Sequence, residues 1–442
     1  MKTENMNIQF RIAKTLHQDI LNDLKRPHDY TYERVGFIYT KTVQLNNGNY
    51  IILATNYVPV NDKNYIKDDS VGAKINSTAI RLAMQGMIDT GCGCFHVHFH
   101  KHKGKPFPSI TDSEDLPELV KSFNNIKTKE ANGFLILSEN GFYAETKIDN
   151  ISDTYKIESF SCIGYPMELQ YPRKMRRKTS IYDRQSFLGK DSQFLFENIK
   201  VGIVGYGGGG SHIGQQLAHI GVKNITIFDD DKTEDTNLNR LIGAIYRDIR
   251  NATLKTYIAQ RVIKKIFPNS KIQPVNDKWQ KRPKQLQDCD IVFGCIDSYS
   301  ERHQLEAECR RFLIPLIDIG MDVHKVDSYS MSGQIILSMP GHPCMTCFGF
   351  LSEDKLEIEA KKYGNIGGRP QVVWSNGALA STAVGIFVDL VTGWSGECDK
   401  GIYLAYDGNT GKIEDHIRFK FCTNTCTHYP ISEVGPATYK KI

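Results

Sequence analysis

VGIVGYGGGGSHIGQQLAHIGVKNITIFDDDKTEDTNLNR, Val201 to Arg240, joins a buried strand, a glycine-rich turn, a helix, a second strand and an acidic-then-basic loop, in that order. Val201, Ile203 and Val204 predict one strand, and Ile225, Ile227 and Phe228 predict the next parallel one. Between them, Gly205, Gly207, Gly208 and Gly210 let the backbone approach a ligand. Ser211 is expected to open a helix whose N–H groups face that ligand. This is the order of a nucleotide-binding βαβ unit, and Asp229 ends the second strand where a carboxylate can hydrogen-bond a ribose hydroxyl.

The loop then runs through Asp230, Asp231 and Glu234 into Asn237-Leu238-Asn239-Arg240, and Lys255 sits on the helical stretch ATLKTYIAQRVIKKI. Two cations after an acidic loop suit a triphosphate: Arg presents a planar fork to phosphate oxygens, and Lys a mobile point charge. Further on, DCDIVFGCIDSYSERHQL predicts another short strand, Ile291 to Cys295, leading to Asp297. A carboxylate at the carboxyl end of a parallel strand is well placed to hold Mg2+ beside phosphates, although alone it also suits a helix N-cap.

In order, the motifs G-x-G-G-x-G-S, D-x-D and N-L-x-R, the helix lysine and the C-x-D strand end resemble the ThiF-type superfamily. That superfamily includes ubiquitin-activating enzymes and the adenylyltransferases of sulfur-carrier proteins. The resemblance runs from near Tyr182 to the C-terminus, with YDRQSFLG matching the family's lead-in segment. It implies a Rossmann-like domain with a mainly parallel sheet, binding ATP and Mg2+. It also implies roles: the glycines, Ser211 and Asp231 in the cradle, Asp229 on the ribose, Arg240 and Lys255 on the phosphates, Asp297 on Mg2+, and Asn237 shaping the site. Arg184 would reach the nucleotide of the neighbouring subunit in a homodimer. The implied reaction is attack of a protein's C-terminal carboxylate on the α-phosphate of ATP, giving an acyl-adenylate and pyrophosphate. The implied partner is a ubiquitin-like or sulfur-carrier protein with a flexible tail, with a conjugating enzyme as a potential recipient.

A second constellation lies upstream in CGCFHVHFHKHKGKPFPSITDSED, where His96, His98, His100 and His102 alternate. In a strand, that period points all four to one face. Two such histidines plus a carboxylate a loop away make a three-ligand zinc site with an open position. The pattern resembles the JAMM signature of JAB/MPN metalloproteases, H-x-H followed by S-x-x-D, with Ser109 and Asp112 as its second half. Both His96/His98 and His98/His100 remain candidates. His98 and His100 are favoured because their loop to Ser109 is only one residue longer than the family's usual spacing. YERVGFIYTK supplies Glu33 in the family's E-x-x-G-hydrophobic pattern. The resemblance implies an α/β domain holding Zn2+, with Glu33 as general base and Ser109 stabilising the oxyanion. A degenerate binding module is the alternative for this half, with adenylation then serving sulfur-carrier or peptide biosynthesis.

At 442 residues the chain has room for two or three domains. Its 55 basic and 50 acidic residues give a net charge of +5, too balanced to point to nucleic acid. The local excess in PRKMRRK, Pro172 to Lys178, reads as a linker. Expected boundaries are therefore 1–160, a linker and lead-in segment at 161–195, and 196–442. With no apolar run of about 18 residues and no signal-type core in MKTENMNIQF, no membrane is expected and the expected compartment is the cytoplasm.

Eleven cysteines do not read as a disulfide framework. Cys344 and Cys347 form one close pair, and Cys422 and Cys426 a second with one extra intervening residue. Family members carry such pairs around a structural zinc, so the resemblance implies a four-cysteine site; buried apolar thiols or a catalytic thiol are the alternatives. The stretch Leu351 to Ser381, where ubiquitin-activating enzymes place a crossover cysteine, contains none. Within it, KKYGNIGGRPQ reads as a mobile loop rich in glycine (Gly364, Gly367, Gly368) ahead of Pro370, and NGALASTAVGIFVDLVTGW as a buried helix. A thioester would therefore need Cys344, Cys347, Cys398 or a thiol of another protein.

Overall fold

The fold is that of a computed structural model describing residues 6–27, 32–68, 70–148, 154–172, 180–325, 327–361, 370–396, 401–422 and 426–437. Most of the basic run after Pro172, together with Gly364, Gly367, Gly368 and Cys398, lies outside the described residues. The chain divides into two compact units, residues 1–164 with 168–174 and 430–442, and residues 165–167 with 175–429. This division differs from the expected boundaries in grouping residues 430–442 with the first unit. The turn Ile431–Glu433 packs on a strand of the first unit, Val434 is buried, and Gly435 lies against Lys41.

The first unit is built on a sheet of nine strands: β1 (Ile8–Ala13), β2 (Val35–Gln44), β3 (Tyr50–Pro59), β4 (Gly93–Phe99), β5 (Asn132–Leu137), β6 (Phe142–Lys147), β7 (Thr154–Lys156), β8 (Ser159–Ile163) and β9 (Glu168–Gln170). Their order is β7-β6-β5-β4-β2-β3-β1-β8-β9. Helices α1 (Lys14–Leu24), α2 (Ser77–Thr90) and α3 (Ile110–Asn124) complete it. Strands β1, β4, β5 and β8 are buried along their whole length, as central strands covered on both faces must be. Phe160 stacks on Phe10, and Phe95 meets Phe10 edge-on, in one layer of the core. Asn76 caps α2 through bonds accepted from the Thr78 and Ala79 amides, and Gly91 ends it with φ +62°. That abrupt end feeds the chain directly into β4.

The second unit carries eight strands: β10 (Lys200–Val204), β11 (Asn224–Phe228), β12 (Lys271–Val275), β13 (Ile291–Gly294), β14 (Leu316–Lys325), β15 (Tyr329–Ser338), β16 (Ile402–Asp407) and β17 (Lys412–Asp415). The order β12-β11-β10-β13-β14 is parallel; β15, β16 and β17 continue it antiparallel. Its helices are α4 (Ser192–Asn198), α5 (Gly208–Ile220), α6 (Tyr246–Arg250), α7 (Lys255–Ile266), α8 (Pro283–Gln287), α9 (Tyr299–Arg311), α10 (Glu353–Lys361) and α11 (Val373–Thr392). By length and composition α11 passes as a membrane span, yet Leu379, Ala383, Phe387 and Leu390 are buried against α5 and β14. It is the buried helix that NGALASTAVGIFVDLVTGW predicts, and its apolar character serves this core.

Candidate functional site

Strands β11, β10 and β13 end around a cavity of about 600 Å³, and β14 runs along it through Ile319, Gly320 and Met321. Gly205, Gly207 and Gly208 form its glycine wall. Gly205 has φ +88°, and a Cβ there would stand 2.5 Å from the Cys295 carbonyl oxygen, so both conformation and space demand glycine. Gly210 and Ser211 depart from the expected roles, since neither is among the residues lining the cavity. The helix α5 starts at Gly208, three residues before Ser211. Ser211 is therefore inside its first turn and fully buried, bonding the Gly208 carbonyl (2.9 Å) and accepting from the Ile242 amide (3.0 Å). Gly210 serves close packing: a Cβ there would lie 2.1 Å from the Gly205 carbonyl oxygen.

At the end of β11, the Asp229 carboxylate accepts from the Tyr206 amide (2.6 Å) and the Asp231 amide (2.9 Å). Burial raises its pKa, with Lys255 and these amides pulling the other way. Lys255, first residue of α7, donates to Asp231 (2.6 Å) and stands 4.0 Å from Asp229. Asn237 is buried and accepts from the Glu234 amide (3.0 Å), closing the acidic loop on itself. Arg240 lines the cavity and donates to the Thr236 carbonyl and to Asn239. Asp297 faces the same cavity from the β13 side, with Gln371 Nε2 3.3 Å from each carboxylate oxygen. Arg184 is exposed and does not line this cavity.

Among the cavity residues that escaped the sequence reading are Trp279 and Lys278, just past β12, and Asn376 on α11. The rule that ligands gather at the carboxyl ends of parallel strands points to the first two. Nothing local marks Asn376, which arrives from 165 or more residues beyond the glycine turn.

In the first unit a second cluster forms around β4. Residues His98 and Val35 are paired across β4 and β2, and continuing that register sets Glu33 opposite His100. The His98 and His100 Nε2 atoms lie 3.1 Å apart, and the two oxygens of Asp112 stand 3.5 Å from one or the other. Glu33 Oε1 is 3.9 Å from His100 Nε2. A tetrahedral ion with ligands at about 2.05 Å has edges of about 3.3 Å, so this donor triangle fits zinc in size and chemistry. The strand ends at Phe99, which corrects the expectation of four histidines on one strand face. His96 is buried against Phe37 with Nδ1 unpartnered, and His102 is exposed, accepting from the Gly104 amide. Burial holds His96 near a pKa of about 3, so it stays neutral.

Ser109 and Asp112 have a structural task as well. Ser109 is the N-cap of α3: it accepts from the Asp112 amide (3.1 Å), while Asp112 accepts from the Ser109 amide (2.8 Å) and hydroxyl (2.7 Å). This capping box aims the carboxylate at the histidines. Burial opposes it, but the bonds to His100 and His98 hold Asp112 well below the usual carboxylate range; the same bond to Asp112 raises His100.

The cysteine expectation changes in one ligand. Cys344, Cys347, Cys426 and His428 converge, their donor atoms all within 4.8 Å, and His428 stands where Cys422 was expected. The Cys422 thiol instead faces the Cys347 carbonyl at 3.3 Å. The extra residue between Cys422 and Cys426 gives a physical reason, since it breaks the two-residue spacing that lets a paired cysteine turn back to the same ion. The Cys344–Cys347 separation of 3.6 Å fits the edge of about 3.8 Å expected for thiolates on zinc.

Comparison with known proteins matches the ThiF family over residues 182–426. Molybdopterin-synthase adenylyltransferase of Haemophilus influenzae is 32% identical over 157 residues, 35% of this chain and 60% of that protein. Its Escherichia coli K12 counterpart is 31% identical over 187 residues, 41% of this chain and 68% of that protein. The SAMP-activating enzyme E1 of Haloferax volcanii is 28% identical over 162 residues, 36% of this chain and 57% of that protein. The chain thus spans 60% of the length of the first of these relatives. Among solved structures, E. coli MccB superposes with a TM-score of 0.44 at 19% identity, covering 54% of this chain and 70% of that one. With its match covering more than half of the 442 residues, the chain belongs to the ThiF family.

Proposed function

We propose that this protein adenylates the C-terminal carboxylate of a small ubiquitin-like or sulfur-carrier protein, using ATP. The observation that carries the reading is one cavity lined by a glycine turn, a ribose-suited carboxylate, two cations and a second carboxylate at a facing strand end. Little covalent chemistry is asked of such a site. It must align an attacking carboxylate with the α-phosphate and neutralise the charge that develops on phosphate oxygens. Asp229 binds the ribose, and Lys255 exchanges Asp231 for phosphate oxygen when nucleotide arrives. Arg240 adds a fork at the mouth, with Arg184 supplied by a second copy. Asp297 would hold magnesium, which supplies charge neutralisation to the phosphates. Family membership and the names of the relatives support this substrate class. The test is ATP–pyrophosphate exchange with candidate small proteins ending in Gly-Gly. No exchange with any of them, together with Asp297→Ala indistinguishable from wild type, would overturn the reading.

A second activity is favoured by the cluster of Glu33, His98, His100 and Asp112. We infer a JAMM-type peptidase that trims or releases the same modifier's tail. Zinc held by His98, His100 and Asp112 would supply Lewis acidity to a scissile carbonyl and acidify water. Glu33 accepts a proton from water and returns it to the leaving amine. Ser109 spends its proton on Asp112 here, so an oxyanion role requires that hydroxyl to turn. Glu33→Gln should keep the metal and abolish cleavage of a modifier bearing a C-terminal extension; a variant that binds metal and cuts at the wild-type rate sinks the mechanism.

A further inference from the structure

Arg302, on the first turn of α9, is buried to 5% exposure and does not line the nucleotide cavity. Its guanidinium nonetheless reaches two residues that do. Nε donates to the Ile296 carbonyl (2.8 Å), in the turn that carries Asp297, and Nη2 to the Ile319 carbonyl (3.3 Å) on β14. Nη1 pairs with the fully buried Asp318 at 3.0 Å. Phe350 closes the far side, its ring 5.5 Å from the guanidinium carbon. Two glycines keep the room this needs. A Cβ on Gly320 would stand 2.3 Å from Arg302 Nη2, and one on Gly294 would stand 2.7 Å from Asp318 Oδ2.

A buried ion pair is a poor way to gain stability, because desolvating both charges offsets their attraction. What this one does provide is direction. A single rigid fork ties the loop bearing Asp297 to the interior of the neighbouring strand β14. We propose that Arg302 is the positioning residue that sets the Asp297 carboxylate for magnesium, paired with Asp318 to hold its own orientation. The proposal rests on the reading of this cavity as a Mg2+·ATP site. It deepens that reading by assigning the metal's geometry to a side chain that never touches ligand.

The test is calorimetric titration of the full chain with ATP, with and without Mg2+, which needs no protein substrate. Arg302→Met leaves Asp318 buried and unpaired, a threat to the fold, so Arg302→Met/Asp318→Leu is measured beside it. Each should lose about tenfold or more of the affinity that Mg2+ adds, the usual scale for a residue that orients a metal ligand. Affinity for Mg2+-free ATP should stay near wild type, and Arg302→Lys should recover part of the loss. Asp297→Ala should show the same selective deficit. Variants that keep the full Mg2+ effect, or that lose both affinities equally, would overturn the positioning role. Wild-type protein that binds no ATP would instead overturn the nucleotide reading, and this proposal with it.

Discussion

At the scale of single residues, Lys255 carries the clearest chemical burden. Its ammonium is already drawn to the cavity by Asp231 and Asp229, and no other lysine stands on the helix start that faces the glycine turn. Lys255→Met should slow pyrophosphate exchange roughly 100-fold or more, the scale seen when one preorganised charge donor is removed. A loss under about threefold would show that Arg240 suffices. His17 offers a pH prediction in the other unit. Buried and beside Lys25, its pKa falls from 6.5 to about 4. The unfolded chain therefore takes the proton first. Stability is present in full above about pH 6.5 and is lost as pH falls through that window towards 4. The loss totals about 3 kcal/mol at most, from 1.36 kcal/mol per pKa unit. Urea midpoints at pH 7, 5.5 and 4 check it: His17→Leu should flatten this part of the profile. Asp229, Lys255 and Asp297 were legible in the sequence because each sits a fixed short distance from a strand or helix end. Arg302, Trp279 and Asn376 were not, because what they meet is set by tertiary packing.

At the scale of elements, the two turns that follow strands matter most. Gly205 is the hinge between β10 and α5, and Gly205→Ala forces a methyl onto the Cys295 carbonyl in a left-handed backbone. About 1–3 kcal/mol of strain follows, and the turn should shift enough to abolish ATP binding in calorimetry. The start of α3 shows why one motif can be read in two ways. S-x-x-D is a helix-capping pattern in any protein; here it also delivers a carboxylate to two histidines. Ser109→Ala separates the functions by degree. Loss of the cap should cost about 1 kcal/mol in thermal or urea unfolding. Zinc affinity should fall roughly tenfold in a competitive chelator titration, since Asp112 loses its orienting bond. Helix starts and strand ends were harder to read than their existence. Glycines alone do not reveal that α5 begins at Gly208, and alternation alone does not reveal that β4 stops at Phe99.

At the scale of the whole molecule, two of the three metal-type clusters among the described residues stand in opposite relations to folding. The His98/His100/Asp112 cluster is assembled by local structure with bonds of its own: a fully buried strand, the residue just past it and a capping box. The Cys344/Cys347/Cys426/His428 cluster instead gathers residues up to 84 positions apart in sequence, each of them outside any helix or strand. An ion there would do what a cross-link does, and its binding energy would be folding energy. Purified protein should accordingly carry about two zinc equivalents per chain by elemental analysis. His98→Ala/His100→Ala should lose one of them and leave the melting temperature within about 2 °C, because the site is preformed. Cys344→Ser/Cys347→Ser should lose the other and melt roughly 10 °C lower, at about 2–4 °C for each kcal/mol in a unit of this size. A cysteine variant that loses its metal yet melts with wild type would show that packing alone holds this corner of the fold. In that case His428 would be an ordinary hydrogen-bond partner of two thiols.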